Sequence, residues 1–110
     1  MAAVTLRRHL VPDRKDGSVL STRVTIGSSV GLHARPARLL AEAAGKQTAS
    51  VRIGRSEDAL VDAASILAVM SLGVGGGEDV VLVVEGEGAE ETLRELSELL
   101  AQDLDAAVPA

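Results

Sequence analysis

One short segment brings together residue types that are suited to handling phosphate. Gly31-Leu32-His33-Ala34-Arg35-Pro36-Ala37 places an imidazole just before a stretch of helical character and a guanidinium two residues later. A neutral imidazole is a nucleophile at physiological pH, and a guanidinium matches the geometry of phosphate oxygens. The first amides of a helix have no partner within the helix and favour anions. The segment therefore predicts that His33 accepts a phosphoryl group and that Arg35 stabilises its charge.

Two other residues of this segment have predicted structural roles. Gly31 can adopt a backbone conformation that exposes the neighbouring imidazole, and Pro36 is tolerated in a first helical turn, which it stiffens. A single His before a helix is more often a cap or a surface residue, so the prediction depends on its combination with Arg35. Arg38, about one turn further on, is expected to be an ordinary solvated side chain.

Hydrophobic spacing predicts the elements that must position these residues. Alternating apolar residues indicate half-buried strands, and apolar residues three or four apart indicate helices. In chain order, the prediction is a strand at 22–26, a helix at 34–44, strands at 49–53 and 59–62, a short helix capped by Ser65, a strand at 79–85 and a helix from residue 89. This βαββαβα order predicts an α+β open-faced β-sandwich, with helices on one face of a four-stranded, mostly antiparallel sheet.

The segments outside this pattern are expected to have little regular structure. Residues 1–20 mix charge with Pro and Gly and show no period, which predicts a poorly ordered extension before a domain at 21–105 and a tail at 106–110. Gly73–Gly77 lacks the Lys and Ser/Thr of a phosphate-binding P-loop and precedes a strand, so a flexible turn is expected there.

Composition excludes several classes of function. A net charge of -5 and the lack of a basic stripe argue against nucleic acid as a direct partner. The chain has no Cys, which excludes disulfides and thiolate metal sites, and no pattern of converging His and acidic residues predicts a metal or another cofactor. The longest aliphatic run, 80–84, is too short to span a bilayer. We therefore expect a cytoplasmic protein.

A second motif accompanies the His33 segment in the order and spacing of a known family. Together with Ser65-Ile66-Leu67-Ala68-Val69-Met70-Ser71-Leu72-Gly73, it resembles HPr, the histidine-containing phosphocarrier of the bacterial phosphoenolpyruvate:sugar phosphotransferase system. The resemblance covers roughly residues 22–104. It implies that His33 receives a phosphoryl group on Nδ1 from phosphorylated enzyme I and donates it to enzyme IIA domains, with Arg35 assisting. It implies a stoichiometric carrier rather than an enzyme, and no metal.

The resemblance also gives Ser65 a candidate regulatory role. In HPr proteins of many Gram-positive bacteria, a dedicated kinase phosphorylates the serine at this position and slows transfer to the His. The resemblance thus adds a Ser kinase/phosphorylase and a transcriptional regulator to the candidate partners. Ala64 and Ala68 depart from the common pattern around this serine, and helix capping explains a Ser here equally well.

The short helix after Ser65 is a candidate docking surface. Ile66, Leu67, Val69 and Met70 cannot all face inward, because consecutive helical residues are about 100° apart. Some apolar surface must therefore stay exposed, and Ile66, Leu67 and Met70 are predicted to contact partner proteins. The alternative is that these residues fill the core of a chain that has no aromatic side chains.

Three other functions remain open at this stage. An HPr-like carrier could serve nitrogen regulation or dihydroxyacetone phosphorylation instead of sugar transport. A βαββαβ domain could also be a small-molecule sensor, although a sensor has no need of an exposed His beside Arg. An enzyme with a nucleophilic His33 is disfavoured because no second acid or base is apparent. Since a carrier must present one face to successive partners, we expect a monomer.

Overall fold

The computed structural model of the chain describes residues 5–10 and 18–102. Within these residues, the elements are β1 (Thr5–Leu10), β2 (Ser18–Thr25), α1 (Arg35–Gly45), β3 (Ser50–Gly54), β4 (Leu60–Asp62), α2 (Ile66–Ser71), β5 (Asp79–Glu85) and α3 (Ala89–Ala101). The predicted βαββαβα order is confirmed from β2 onward, and one strand precedes it.

The strands form one antiparallel sheet in the order β1-β2-β5-β3-β4. The strand that comes last in the chain, β5, lies at the centre, with Val24 of β2 opposite Val80 on one side and Ile53 of β3 opposite Leu82 on the other. A valine-rich sequence suits this place, because β-branched residues pack well on a pleated surface. The four strands predicted from the sequence are therefore present in the expected antiparallel arrangement.

The fifth strand corrects the prediction for residues 1–20. The backbone of Thr5–Leu10 pairs antiparallel with β2, and β2 itself begins at Ser18 rather than at residue 22. Without β1, one edge of β2 would present unpaired N–H and C=O groups, which any extended backbone can satisfy whatever its side-chain period. The expectation of disorder relied on that missing period. Residues 1–4, 11–17 and the tail at 106–110 lie outside the described residues.

The core lies between one face of the sheet and the three helices, as predicted. Apolar residues of β2, β3 and β5 join those of the helices in one buried cluster, whose larger members include Leu20, Val24, Leu40, Val51, Ile53, Val69, Val80, Leu82, Val84, Leu93, Leu96 and Leu100. Aliphatic side chains fill this cluster in place of aromatic rings, because the sequence contains no Phe, Tyr or Trp.

The opposite face of the sheet is only partly open to solvent. Arg23 and Arg52 are exposed, whereas Val81 and Val83 on the central strand are only 5% and 7% exposed. The register places Arg23 opposite Val81 and Arg52 opposite Val83. Long arginine stems can cover neighbouring apolar surface while their charged ends stay in water. We attribute the low exposure of the two valines to these arginine stems.

The end of β2 lies directly against the end of α3. The Gly27 N–H donates to the Leu100 carbonyl oxygen at 2.9 Å, and a Cβ atom at Gly27 would overlap the Ala101 carbonyl group. Since both groups are backbone, neither can move aside as a flexible side chain could. This position therefore requires glycine because of space, not because of its backbone angles.

We predict that Gly27→Ala lowers the free energy of unfolding by about 1–3 kcal/mol, the usual cost of overpacking. Gly45→Ala is the matched control, since it lies in α1 with nothing within 4 Å of the added methyl group. It should raise stability by about 0.5–1 kcal/mol through helix propensity. Urea unfolding followed by far-ultraviolet circular dichroism measures both changes. Equal stability of the two variants would contradict the close approach.

Candidate functional site

A tight loop between β2 and α1 presents His33. The Gly31 N–H donates to the Ser28 carbonyl oxygen at 3.0 Å, and Gly31 has a φ angle of 74°. This left-handed conformation is favourable for glycine and strained for other residues, so the residue type suits this position of the loop. The chain then buries Leu32 and exposes His33.

Ala34 connects His33 to the helix through an unusual backbone conformation. Its φ and ψ angles are 51° and -115°, and it is the N-cap of α1, with no side-chain hydrogen bond to the first turn. An alanine in this region is strained, and its methyl group cannot accept a hydrogen bond as a Ser or Asp would. The first-turn amides are therefore left without a side-chain cap beside His33. Nothing in the residue type of Ala34 predicts this strain, so sequence analysis missed it.

The buried side chains in the first turns of α1 hold the start of this helix against the core. Pro36 lies in the first turn and is buried with Ala37 and Leu40, while Arg35 is exposed. The apolar side chains thus fix the helix against the core, and the two polar side chains face solvent. Within the described part of the chain, neither the His33 imidazole nor the Arg35 guanidinium is engaged by another residue. Both groups are therefore accessible from solvent.

The backbone of a second loop, Gly73–Gly77, packs directly against the backbone of the His33 loop. The Leu32 N–H donates to the Val74 carbonyl oxygen at 2.9 Å, and a Cβ atom at Gly31 would overlap that same carbonyl. A Cβ atom at Gly76 would lie 2.5 Å from the Ser28 carbonyl oxygen. The predicted turn is present, and its glycines also allow two backbones to meet. The cluster of glycines was itself a signal of close approach.

Ser65 lies at the start of α2 and caps it. Its backbone is extended, and its Oγ atom accepts a hydrogen bond from the Ala68 N–H at 3.3 Å. The capping role predicted from the sequence is therefore confirmed. The side chain is partly buried.

The predicted docking residues differ in exposure. Leu67 is 77% exposed, whereas Ile66 and Met70 are half-buried and pack against the core, into which Val69 is fully buried. The argument that one helix cannot bury all four residues is therefore confirmed, and Leu67 is outside the core. Val30, in the loop before His33, is also 51% exposed. Sequence analysis missed Val30 because a single Val in a loop carries no period.

The described residues contain neither a metal-binding cluster nor a membrane-spanning helix. No group of three or more His, Asp or Glu side chains in this part of the chain could hold a metal ion. None of the helices found there has the length and apolar character needed to cross a bilayer.

Comparisons with known proteins agree with this geometry. A family model described as the phosphorylation site of the HPr component of the phosphotransferase system matches residues 20–102. Phosphocarrier protein HPr of Streptomyces coelicolor is 45% identical over 83 residues, which cover 76% of this chain and 89% of the relative. That of Haloferax volcanii is 52% identical over 79 residues, which cover 71% of this chain and 89% of the relative.

Solved structures show the same fold. The crystal structure of phosphocarrier protein HPr from Bacillus anthracis superposes with a TM-score of 0.70 at 34% identity and covers 74% of this chain and 96% of its own. HPr-C-His from Thermoanaerobacter tengcongensis gives a TM-score of 0.68 at 36% identity and covers 73% of this chain and 89% of its own. Family, sequence relatives and fold thus point the same way, and the chain belongs to the HPr family of phosphocarrier proteins of the phosphotransferase system.

Proposed function

We propose that this chain carries a phosphoryl group on His33, accepting it from phosphorylated enzyme I and donating it to enzyme IIA domains. The observation that carries this proposal is the exposed, unengaged His33 imidazole at the start of α1, with the exposed Arg35 two residues later. Both lie within the segment that matches the family. Such a carrier works stoichiometrically, as a monomer in the cytoplasm, and turns over no substrate of its own.

The transfer step needs a neutral imidazole. The Nδ1 lone pair attacks phosphorus while the ring proton stays on Nε2, and the bond between phosphorus and the donor atom breaks, leaving its electron pair on the donor. Charge and atoms balance, because the phosphoryl group simply exchanges one bond for another. Protein groups contribute to such a step mainly by positioning and by electrostatic stabilisation. The reverse exchange, onto an acceptor, uses the same arrangement.

Arg35 and the uncapped helix start supply that stabilisation. A guanidinium offers several N–H donors to phosphate oxygens, and the free amides of the first turn favour negative charge by roughly 0.3–2 kcal/mol. Because Ala34 provides no side-chain acceptor, the N-cap residue does not compete with a phosphoryl group for those amides. We therefore assign Arg35 to the phosphoryl oxygens and the imidazole of His33 to phosphorus.

Partner proteins would dock on the exposed apolar residues near the site. Among the side chains that the structure describes, Leu67 on α2 and Val30 in the His33 loop are the exposed large apolar ones, and Ile66 and Met70 add partly exposed surface. Helices α1 and α2 pack against one another, so this apolar surface and the start of α1 belong to one side of the molecule. Exposed apolar surface of this kind commonly marks a protein interaction site.

Ser65 would regulate docking on this surface. A phosphoryl group on Ser65 would place a charge of about −2 next to the apolar residues that follow it. This charge would oppose contact with an apolar partner surface. The capping role of Ser65 does not conflict with this proposal, since the two depend on different properties of the hydroxyl group.

The first test is phosphoryl acceptance. Incubation with phosphoenolpyruvate and enzyme I should add one acid-labile, alkali-stable phosphoryl group to the wild type, seen by mass spectrometry. His33→Ala should abolish this gain without lowering thermal stability, because the side chain is exposed and lies outside the core. His9→Ala is the matched control, since these are the only two histidines. A phosphoryl group that persists on His33→Ala would disprove the assignment.

The second test separates the cap from regulation at Ser65. Ser65→Asp keeps a capping oxygen and adds a charge, so we predict normal stability with slower transfer from enzyme I. Ser65→Ala is the control: it should cost about 0.5–2 kcal/mol of stability and transfer normally. If Ser65→Asp transfers at the rate of the wild type, Ser65 is a cap alone.

The third test concerns the docking surface. Leu67→Glu should raise the KM of enzyme I for the carrier several-fold and leave the Tm nearly unchanged, because the side chain is exposed. Thr48→Glu adds the same charge at an exposed residue beyond the other end of α1 and should leave the KM as it is. An unchanged KM for Leu67→Glu would remove Leu67 from the interface.

A further inference from the structure

Arg55 joins the hairpin turn after β3 to the end of α2. Its Nε atom donates to the Leu72 carbonyl oxygen at 3.0 Å, and its Nη2 atom donates to the Gly73 carbonyl oxygen at 2.6 Å. These carbonyls lie at the C-terminal end of the helix, where backbone oxygens lack partners and a positive charge is favourable. Arg55 thus holds the point at which α2 turns into the glycine loop, Gly73–Gly77.

Glu78 completes the contact from the other end of this loop. One of its oxygens, Oε1, accepts from Arg55 Nη2 at 3.2 Å and from the Gly75 N–H at 2.7 Å. These hydrogen bonds, first that from Gly75 and then that from Arg55, hold the pKa of Glu78 below its usual value of 4.5. The carboxylate is therefore charged at neutral pH. Arg55 and Glu78 together bind the first and third residues of the loop, Gly73 and Gly75, and we call this pair the clamp.

The clamped loop is the one that supports the His33 loop. Between the carbonyl held at Gly73 and the amide held at Gly75 lies Val74, whose own carbonyl accepts the hydrogen bond from Leu32. Leu32 directly precedes His33 in the chain. Glu78 is also fixed by its backbone, since its carbonyl accepts from the Ile26 N–H at 2.9 Å. The clamp therefore holds the backbone on both sides of Val74, and the hydrogen bond from Val74 to Leu32 links this backbone to the residue before His33.

We propose that Arg55 and Glu78 are positioning residues for phosphoryl transfer, acting through Val74 and Leu32 on the placement of His33. This inference rests on the proposed function of His33. Stability alone does not explain the arrangement, because both side chains are about half exposed, and such an ion pair contributes little to folding. What the clamp restricts is the position of one carbonyl group, and phosphoryl transfer is sensitive to small displacements of the reacting atoms.

The test compares variants that remove the clamp with a matched arginine variant. Arg55→Met and Glu78→Ala should each lower the rate constant for transfer from saturating phosphorylated enzyme I by about fivefold to tenfold. The KM should be unchanged. Glu78→Gln keeps an acceptor for Gly75 and should lie in between. Arg52→Met is the control, since Arg52 also pairs with a glutamate on the surface, Glu85, at 3.9 Å, but contacts neither loop through that pair.

A second measurement distinguishes positioning from general destabilisation. Hydrogen exchange of the Leu32 amide, followed by nuclear magnetic resonance well below the Tm, should be faster in Arg55→Met and Glu78→Ala. The amide of Leu82 in the centre of the sheet should exchange as in the wild type. A purely structural role would speed both amides, as judged against the Tm of each variant.

Each other outcome overturns the proposal. Unchanged rate constants, an unchanged Leu32 amide, or an effect on the KM alone would each show that the clamp does not position His33. The last of these would place Arg55 and Glu78 in the docking surface instead. A wild-type chain that accepts no phosphoryl group would refute the proposed function itself, which these variants of an active carrier do not address.

Discussion

The hydrogen bond from the Leu32 amide to the Val74 carbonyl joins the two loops on which the site depends. It fixes the residue before His33 relative to Val74, which lies in the loop after α2, and both loops approach so closely that side chains are excluded at Gly31 and Gly76. One neutral hydrogen bond contributes only about 0.5–1.5 kcal/mol. Its importance lies in where it acts, since one of the loops it joins carries His33 and the other leads into the central strand.

The pairing of β2 with β5 brings these two loops side by side. The loop Gly73–Gly77 runs into β5, the central strand, and the His33 loop leaves β2, which pairs with β5. Both loops therefore emerge from the same end of one rigid strand pair. On the C-terminal side of His33, the buried residues Pro36 and Leu40 anchor helix α1. The strained residue, Ala34, lies between the anchored loop and this helix. A mobile loop could not sustain such a backbone conformation.

The elements with a regular hydrophobic period, and the residues with a distinctive chemical type, could be predicted from the sequence. Alternation revealed β3, and the segment from Ser65 onward revealed both the cap of α2 and the unequal exposure of its apolar residues. Sequence reasoning failed where backbone atoms decide the structure: β1 pairs through main-chain groups, and Ala34 is strained although nothing in its side chain indicates it. The clamp was missed because Arg55 and Glu78 lie 23 residues apart in turns, where side-chain period is uninformative.

The core built without aromatic rings has an optical consequence. With no Trp, Tyr or Phe, the chain contributes almost no near-ultraviolet absorption and no intrinsic fluorescence. Any aromatic emission from a mixture with a partner protein would come from the partner alone. Docking on the surface around Leu67 could therefore be followed through the partner's own rings, without labels and without a background from the carrier. The same composition makes dye-based or peptide-bond absorbance necessary for measuring its concentration.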